Sequence, residues 1–435
     1  MNKKTHYFIY SLGNFANTLI YQVFSNRIQF FYIDLVGLAP AVAGLIWTAF
    51  GVWNAVDDPL FGVVSDRTRS RWGRRVPYVL FGTVPLVLVF IFLWTPATAN
   101  KTLTAIYFLV MLFIFDALYS LITTAYTSLF PEIASHLADR SLLAAFREGL
   151  ATIALLLAFI LAPILSESVG FVWMGVVIGL MTAVTYLASL WGTHEDLTHL
   201  PENSPGFIES VLASIKSKPF LYYVGALITR EFMFVTVVAT LPFWRKYALG
   251  ITASGRVFGA TLGAGSQEAI LLGLPMLLSV GWVFVWNIVI PKIGARKAWM
   301  YAYLIIIPGL AVMALARDFY WGLAGTLLIS PALAGIMMTP YILLSQVIDD
   351  DAAKHGGRRE GMFFGISVGA GKFSYAIQGI LFTLILPLSG YVANAARQAE
   401  SAIWGIRFLT GAAPVLVGLA GLWFLAKFPL ADRQG

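Results

Sequence analysis

Apolar and polar positions are sorted along this chain on a coarse scale. Weakly charged, apolar stretches of about 20 residues or more fall near 7–32, 41–65, 77–95, 103–128, 141–164 and 169–191. Six more fall near 219–247, 266–290, 298–316, 320–348, 360–388 and 402–427. Each is long enough to cross a bilayer core of ~30 Å as a helix. Between the two sets lies a polar segment, roughly 192–218, with His194, Glu195, Asp196, Glu202, Pro205, Lys216 and Lys218. The pattern predicts an all-α membrane protein of twelve transmembrane helices. Residues 1–191 form one six-helix bundle, 192–218 a central loop and 219–435 a second bundle.

Composition supports this reading. The chain has 435 residues, 59% hydrophobic and 12% charged; a soluble protein carries about 25% charge. The net charge of +7 sits in short clusters between apolar runs. That distribution suits membrane topology rather than nucleic-acid binding. Of the 29 Lys and Arg residues, 18 fall on the side of the N-terminus and the even-numbered loops, and 6 on the other. The positive-inside rule then places both termini in the cytoplasm. With no cysteine, disulfides, thiolate metal sites and cysteine nucleophiles are excluded. Met1-Asn2-Lys3-Lys4 precedes a stretch broken by Asn14, Asn17 and Gln22, which reads as a retained first helix. The basic turn after run 2 has a shorter counterpart after run 8, Pro291-Lys292-Ile293-Gly294-Ala295-Arg296-Lys297. Basic turns in register are the mark of a duplicated six-helix unit.

Some charges fall inside these runs. An ionisable group at the bilayer centre costs on the order of 3 kcal/mol, so Asp57, Asp58, Arg147 and Lys372 facing lipid would cost about 12 kcal/mol together. They must face a polar interior. In a continuous helix, Asn54, Asp57 and Asp58 share a face. Two acids and an amide suit a hard cation or a proton relay; a fixed ion pair to Arg147 or Lys372 is the purely structural alternative. Arg27 and Asp34 read as rim or snorkelling residues at the outer end of run 1. Asp116 is deep in run 4 and fits either role. Arg230 and Glu231, near the start of run 7, read as a local interfacial pair. Gly361, Gly365 and Gly369 have the spacing of close helix packing.

Enzyme motifs are lacking. The chain has no GxSxG, P-loop or HExxH, and His6, His136, His194, His199 and His355 all fall at predicted helix ends or loops.

Three stretches resemble a known family. Asn54-Ala55-Val56-Asp57-Asp58-Pro59-Leu60-Phe61-Gly62, continuing to Arg69-Ser70-Arg71-Trp72-Gly73-Arg74-Arg75-Val76-Pro77-Tyr78, is similar to the signature of the glycoside–pentoside–hexuronide:cation symporters, the melibiose permease-like branch of the major facilitator superfamily. Gly357-Arg358-Arg359-Glu360-Gly361 with Lys372, and Phe130-Pro131-Glu132 with Asp139, Arg140 and Arg147, fit as well. The resemblance implies a major facilitator fold, two six-helix bundles around a central cavity, and alternating access. It places a coupling ion, Na+ or H+, at Asn54, Asp57, Asp58 and Ser120. It places substrate at Asn17, Thr18, Tyr119, Thr123, Thr127, Arg147 and Lys372. A cytoplasmic gate would comprise Asp66, Arg67, Arg71, Arg74, Arg75 and Arg140. The chain departs from the family at several of these positions. Asn54 stands where the permease has an acid and Asp57 where it has an amide. Thr18 and Thr123 replace sugar-gripping acids, and Thr127 replaces a stacking aromatic. Retained cations without those acids favour a sugar-derived solute with an anionic group. The alternative is an amphiphile, as in the sodium-dependent lysophosphatidylcholine symporters of the same family. The expected protein is a monomer in the cytoplasmic (inner) membrane. It contacts lipid and a small-molecule substrate, and has no nucleic-acid partner, no cofactor and no metal beyond Na+.

Overall fold

The computed structural model describes residues 2–96, 100–134, 137–193, 217–355 and 360–430. All twelve expected runs coincide with helix. The helices are α1 (Lys3–Phe30), α2 (Pro40–Asn54), α3 (Asp57–Arg67), α4 (Val76–Phe92), α5 (Lys101–Thr127), α6 (Phe130–Ile133), α7 (Leu137–Ser168) and α8 (Phe171–Ser189). They continue as α9 (Lys218–Phe243), α10 (Ala264–Ile293), α11 (Ala295–Leu315), α12 (Phe319–His355), α13 (Glu360–Leu388), α14 (Glu400–Arg407) and α15 (Ala413–Ala426). A small hairpin pairs β1 (Gly255–Val257) with β2 (Ala260–Leu262).

Among the described residues, nine helical segments are long and apolar enough to cross a membrane. The other three runs are helical but depart from that ideal. Helix α1 has 28 residues but carries Asn14, Asn17, Gln22 and Asn26 through its middle. Run 2 is broken into α2 and α3, and α4 is only 17 residues long. Helix starts follow local chemistry. The Asn100 side chain accepts from the Thr102 and Leu103 amides at 2.9 and 3.2 Å, and Ser217 caps α9 through the Phe220 amide. Such caps satisfy amides that have no partner within the helix. Gly294, at φ +85°, is the single residue between α10 and α11; only glycine takes that conformation at little cost.

The chain packs as two units, residues 1–31 with 56–204 and residues 32–55 with 205–435. In the first, α1 packs on α7 and α8, α4 on α5 and α8, and α3 on α5. Tyr10 and Tyr126 stack with ring centroids 4.7 Å apart, and each hydroxyl donates to the other's backbone carbonyl. Gly13 leaves the room that the Tyr126 ring occupies.

In the second unit, α2 lies on α13, and α9 lies on α13 and α15. The contact of α2 with α13 is backbone against backbone. A Cβ at Gly44 would meet Thr383 N at 2.7 Å and Gly379 O at 2.9 Å, and one at Gly51 would meet Ala376 Cα at 2.7 Å. Across the same seam the Trp47 indole N–H donates to Gln378 Oε1 at 2.7 Å. Of the glycines singled out on run 11, Gly369 faces Ala55 O, whereas Gly365 meets nothing within 4 Å. Close packing thus uses Gly369 and Gly379 but not Gly365, and the surroundings of Gly361 lie outside the described set.

Among the described residues three five-residue π turns occur, Phe31–Leu35 after α1, Trp244–Ala248 after α9 and Phe408–Ala412 after α14; the first two end the first helix of each sequence half.

Candidate functional site

The first unit places a polar cluster at the middle of α1. Asn14 Nδ2 donates to the Arg147 carbonyl at 3.0 Å, and the Arg147 guanidinium reaches Asn14 Oδ1 at 3.4 Å. Arg147 also lies 5.0 Å from the Phe130 ring centroid. Asn17 Oδ1 accepts from Thr123 Oγ1 at 2.9 Å and from the Tyr186 hydroxyl. The Tyr119 hydroxyl reaches the Asn17 carbonyl at 3.4 Å, and Tyr119 stacks on Tyr21. Thr18 donates to the Asn14 carbonyl within its own helix. The structure thus joins Tyr119 and Thr123 to Asn17, and Arg147 to Asn14 one turn earlier, while Thr18 bonds within α1. Thr127, the last residue of α5, is exposed. Tyr186, which the sequence gave no reason to single out, completes the cluster from α8. Among the described residues Arg147 has no carboxylate partner, and its buried Nε has no acceptor. This removes the fixed ion pair between Arg147 and the run 2 acids.

Those acids sit differently from the expected continuous face. The helix stops at Asn54 and restarts at Asp57, so helical spacing no longer relates them. Asp57 and Asp58 instead occupy the first turn of α3, where the exposed amides and helix dipole favour negative charge. Asp57 is fully buried and Asp58 half-buried. The division between the units falls at the break: Asn54 belongs to the second and the two acids to the first. Helix α3 lies on α5, which contributes fully buried Asp116 and the buried Ser120, whose Oγ has no partner among the described residues.

The basic turn is anchored at one acid. Glu132 receives Arg74 Nη2 at 2.9 Å and Arg75 Nη1 at 2.7 Å, and Arg75 also donates to the Ser128 carbonyl. Arg140 Nε donates to the Ala134 carbonyl at 2.9 Å. Arg71 stands apart, exposed, 4.0 Å from the Trp72 ring centroid. The side chains of Asp66 and Arg67 lie outside the described set, as do Arg358 and Arg359. Nearby, Lys3 pairs with Asp139 at 2.6 Å; this bond raises the lysine's pKa above its ordinary value.

Two rim assignments are overturned. Arg27 is buried, because α1 continues past it into the π turn. Asp34, fully enclosed in that turn, is a hub of the second unit. Its Oδ2 takes Lys246 Nζ at 2.6 Å, and its Oδ1 takes the Tyr247 and Tyr391 hydroxyls and the Asn394 amide at 3.0 Å. The remaining partners of Asp34 were invisible in sequence because they lie on other elements. Also in this unit, Arg245 pairs with the buried Glu268 at 2.9 Å. Lys372 sits half-buried on α13. Among the described residues no group of three or more His, Asp or Glu could hold a metal.

The polar cluster thus spans α1, α5, α7 and α8, with a guanidinium held by neutral groups. The sequence matches the MFS/sugar transport protein family over residues 9–432. The chain belongs to this family. It is a multi-pass transporter of the glycoside–pentoside–hexuronide symporter branch of the major facilitator superfamily, and not an enzyme. It is 24% identical to the isoprimeverose transporter of Lactiplantibacillus pentosus, over 91% of this chain and 82% of that one. It is 25% identical to the glucuronide carrier protein homolog of Escherichia coli strain K12, over 98% and 92%. A D-xylose-proton symporter crystal structure superposes with a TM-score of 0.67 at 12% identity, covering 98% of this chain and 97% of that one. That likeness establishes the fold.

Proposed function

We propose that this transporter carries a small sugar-derived solute with an anionic group into the cytoplasm, by symport with Na+ or H+. The observation that carries the anionic group is Arg147: among the described residues its guanidinium meets an amide and a ring but no carboxylate, and keeps Nε unused. Such a group is available to grip a carboxylate or sulfonate with parallel hydrogen bonds. The glucuronide carrier homolog is a relative whose name denotes an anionic sugar; the isoprimeverose transporter's denotes a neutral one.

Asn17, Thr18, Tyr119, Thr123 and Thr127 would meet hydroxyls, with Arg147 and Lys372 balancing the anion. The coupling ion would sit at Asp57 and Asp58, with Asn54 and Ser120 as neutral ligands. A cation there offsets charge that is costly inside a membrane, and linkage requires solute and ion to tighten each other's binding equally. Residues 1–191 and 219–435 act as two six-helix bundles joined by the 192–218 loop, and alternate access. The Lys and Arg bias supports both termini in the cytoplasm and an inner-membrane location. Asp66, Arg67, Arg71, Arg74, Arg75 and Arg140 would form the inner gate.

Proteoliposome uptake under an imposed Na+ or proton gradient tests this reading. Glucuronate, isoprimeverose and lysophosphatidylcholine are the solutes. Glucuronate accumulation that one gradient drives, and that Asp58→Asn abolishes, is expected. Accumulation of lysophosphatidylcholine alone would replace the sugar reading with the amphiphile one.

A further inference from the structure

Arg230 and Glu231 do not sit at an interface. They are the thirteenth and fourteenth of the 26 residues of α9, near the middle of a helix about 39 Å long. Among the described residues α9 is also the most enclosed of the nine spans. Two charges at that depth cannot face lipid cheaply.

What they do there is unusual. Consecutive residues on a helix diverge by about 100° and do not normally meet. Here the Arg230 guanidinium folds onto the Glu231 carboxylate of its own helix. Neither residue has another hydrogen-bonding or ionic partner among the described residues, and the buried Arg230 Nε has no acceptor. A structural ion pair earns its place by tying two helices together; this one ties none. Its side chains remain 16% and 26% accessible rather than sealed in packed core, and lipid is a costly neighbour for that exposed part. The room around Glu231 is shaped from a second helix. A Cβ at Gly371 of α13 would lie 3.2 Å from Glu231 Cγ and 3.9 Å from its carboxyl carbon. A glycine beside Lys372 thus makes the room in which the Glu231 side chain lies.

We propose that Arg230 and Glu231 form a substrate subsite within the second unit that reads the hydroxyl groups of a sugar ring. The pair is neutral overall and offers acceptors and donors side by side. That suits vicinal hydroxyls, each of which both donates and accepts. It does not suit an anion, which Glu231 would repel. It also supplies a carboxylate to a chain whose Thr18 and Thr123 stand where related carriers are expected to have acids. The subsite rests on the sugar-carrier reading.

The test is equilibrium binding of isoprimeverose and glucuronate to the purified full-length protein in nanodiscs. Loss of a charged hydrogen bond predicts that Glu231→Gln weakens both sugars by at least about tenfold. Gly371→Ala, which crowds Glu231 without changing charge, should weaken both severalfold, whereas Arg147→Ala should weaken glucuronate selectively. Unchanged affinity for both sugars in a folded Glu231→Gln protein overturns the subsite while leaving the carrier reading intact. If Glu231→Gln does not fold, Gly371→Ala decides in the same way. A wild-type protein that binds neither sugar overturns the carrier reading and the subsite with it.

Discussion

Replacing Asp34 with asparagine isolates the worth of the buried hub at the end of α1. The side chains have nearly the same shape, so packing is kept and only charge and hydrogen bonding change. In the native protein one carboxylate oxygen receives three donors and the other receives Lys246 at 2.6 Å. An amide must turn its own N–H2 toward one of these two sets, so donors meet donors whichever way it points, and Lys246 loses its counter-charge. Removing one partner of a buried pair costs about 3–5 kcal/mol. The Lys246 side chain is 18% exposed and regains some water, so the lower end, about 3 kcal/mol, applies. Unfolding entropy of about 2.1 cal/mol/K per residue converts this to a melting shift of roughly 3 °C if all 435 residues unfold together, or roughly 6 °C if only the second unit does. Tryptophan fluorescence melts of the purified protein in detergent measure it. Lys246→Met should cost less, because Asp34 keeps three donors, and the double variant should cost less than the sum of the two. An Asp34→Asn protein that melts within about 1 °C of wild type, or strictly additive single variants, would refute the hub.

The same hub predicts a pH effect. Burial first, and the Asp34 charge second, hold the Tyr391 hydroxyl well above its ordinary pKa. The neutral form is therefore favoured when folded, and its contribution is complete below pH ~10 and lost as pH rises beyond it; wild type should lose melting temperature above pH ~10 more steeply than Tyr391→Phe. Gly51→Ala drives a methyl into the α13 backbone and should cost about 1–3 kcal/mol, whereas Gly365→Ala, with open space around it, should be neutral or stabilising by up to ~1 kcal/mol; paired melts distinguish them. Asn17→Leu removes the acceptor shared by Thr123 and Tyr186 and should weaken sugar binding about tenfold, read by titration with glucuronate.

The helices were legible because a bilayer imposes length and hydropathy on each span separately. Basic turns were legible for the same local reason. What sequence could not show depends on distant partners. Asp34 looked like a rim residue because Lys246 lies 212 positions away and Tyr391 lies 357 away. Arg230 and Glu231 looked interfacial because adjacent charges are rare inside a span, although the run at 219–247 already places them near its middle. The break before Asp57 is signalled by Pro59, which cannot bond the Ala55 carbonyl four residues back and whose ring crowds it; run length alone passes over that cue. Of the candidate site, the α1, α5 and α7 residues were found through the family resemblance, and Tyr186 was missed because a tyrosine in an apolar run carries no signal of its own.

The seam between α2 and α13 has a consequence for how the protein can be divided. The sequence halves and the packing units are not the same: residues 32–55 belong by packing with residues 205–435. A chain cut in the central loop would yield an N-terminal fragment that still carries α2, and a C-terminal fragment whose α13 still presents Gly379 and the Ala376 backbone to it. One fragment would thus complete the fold of the other. Co-expressed as two polypeptides, they should recognise each other through glycine-tight backbone contact, which makes this transporter a natural candidate for split-protein reconstitution.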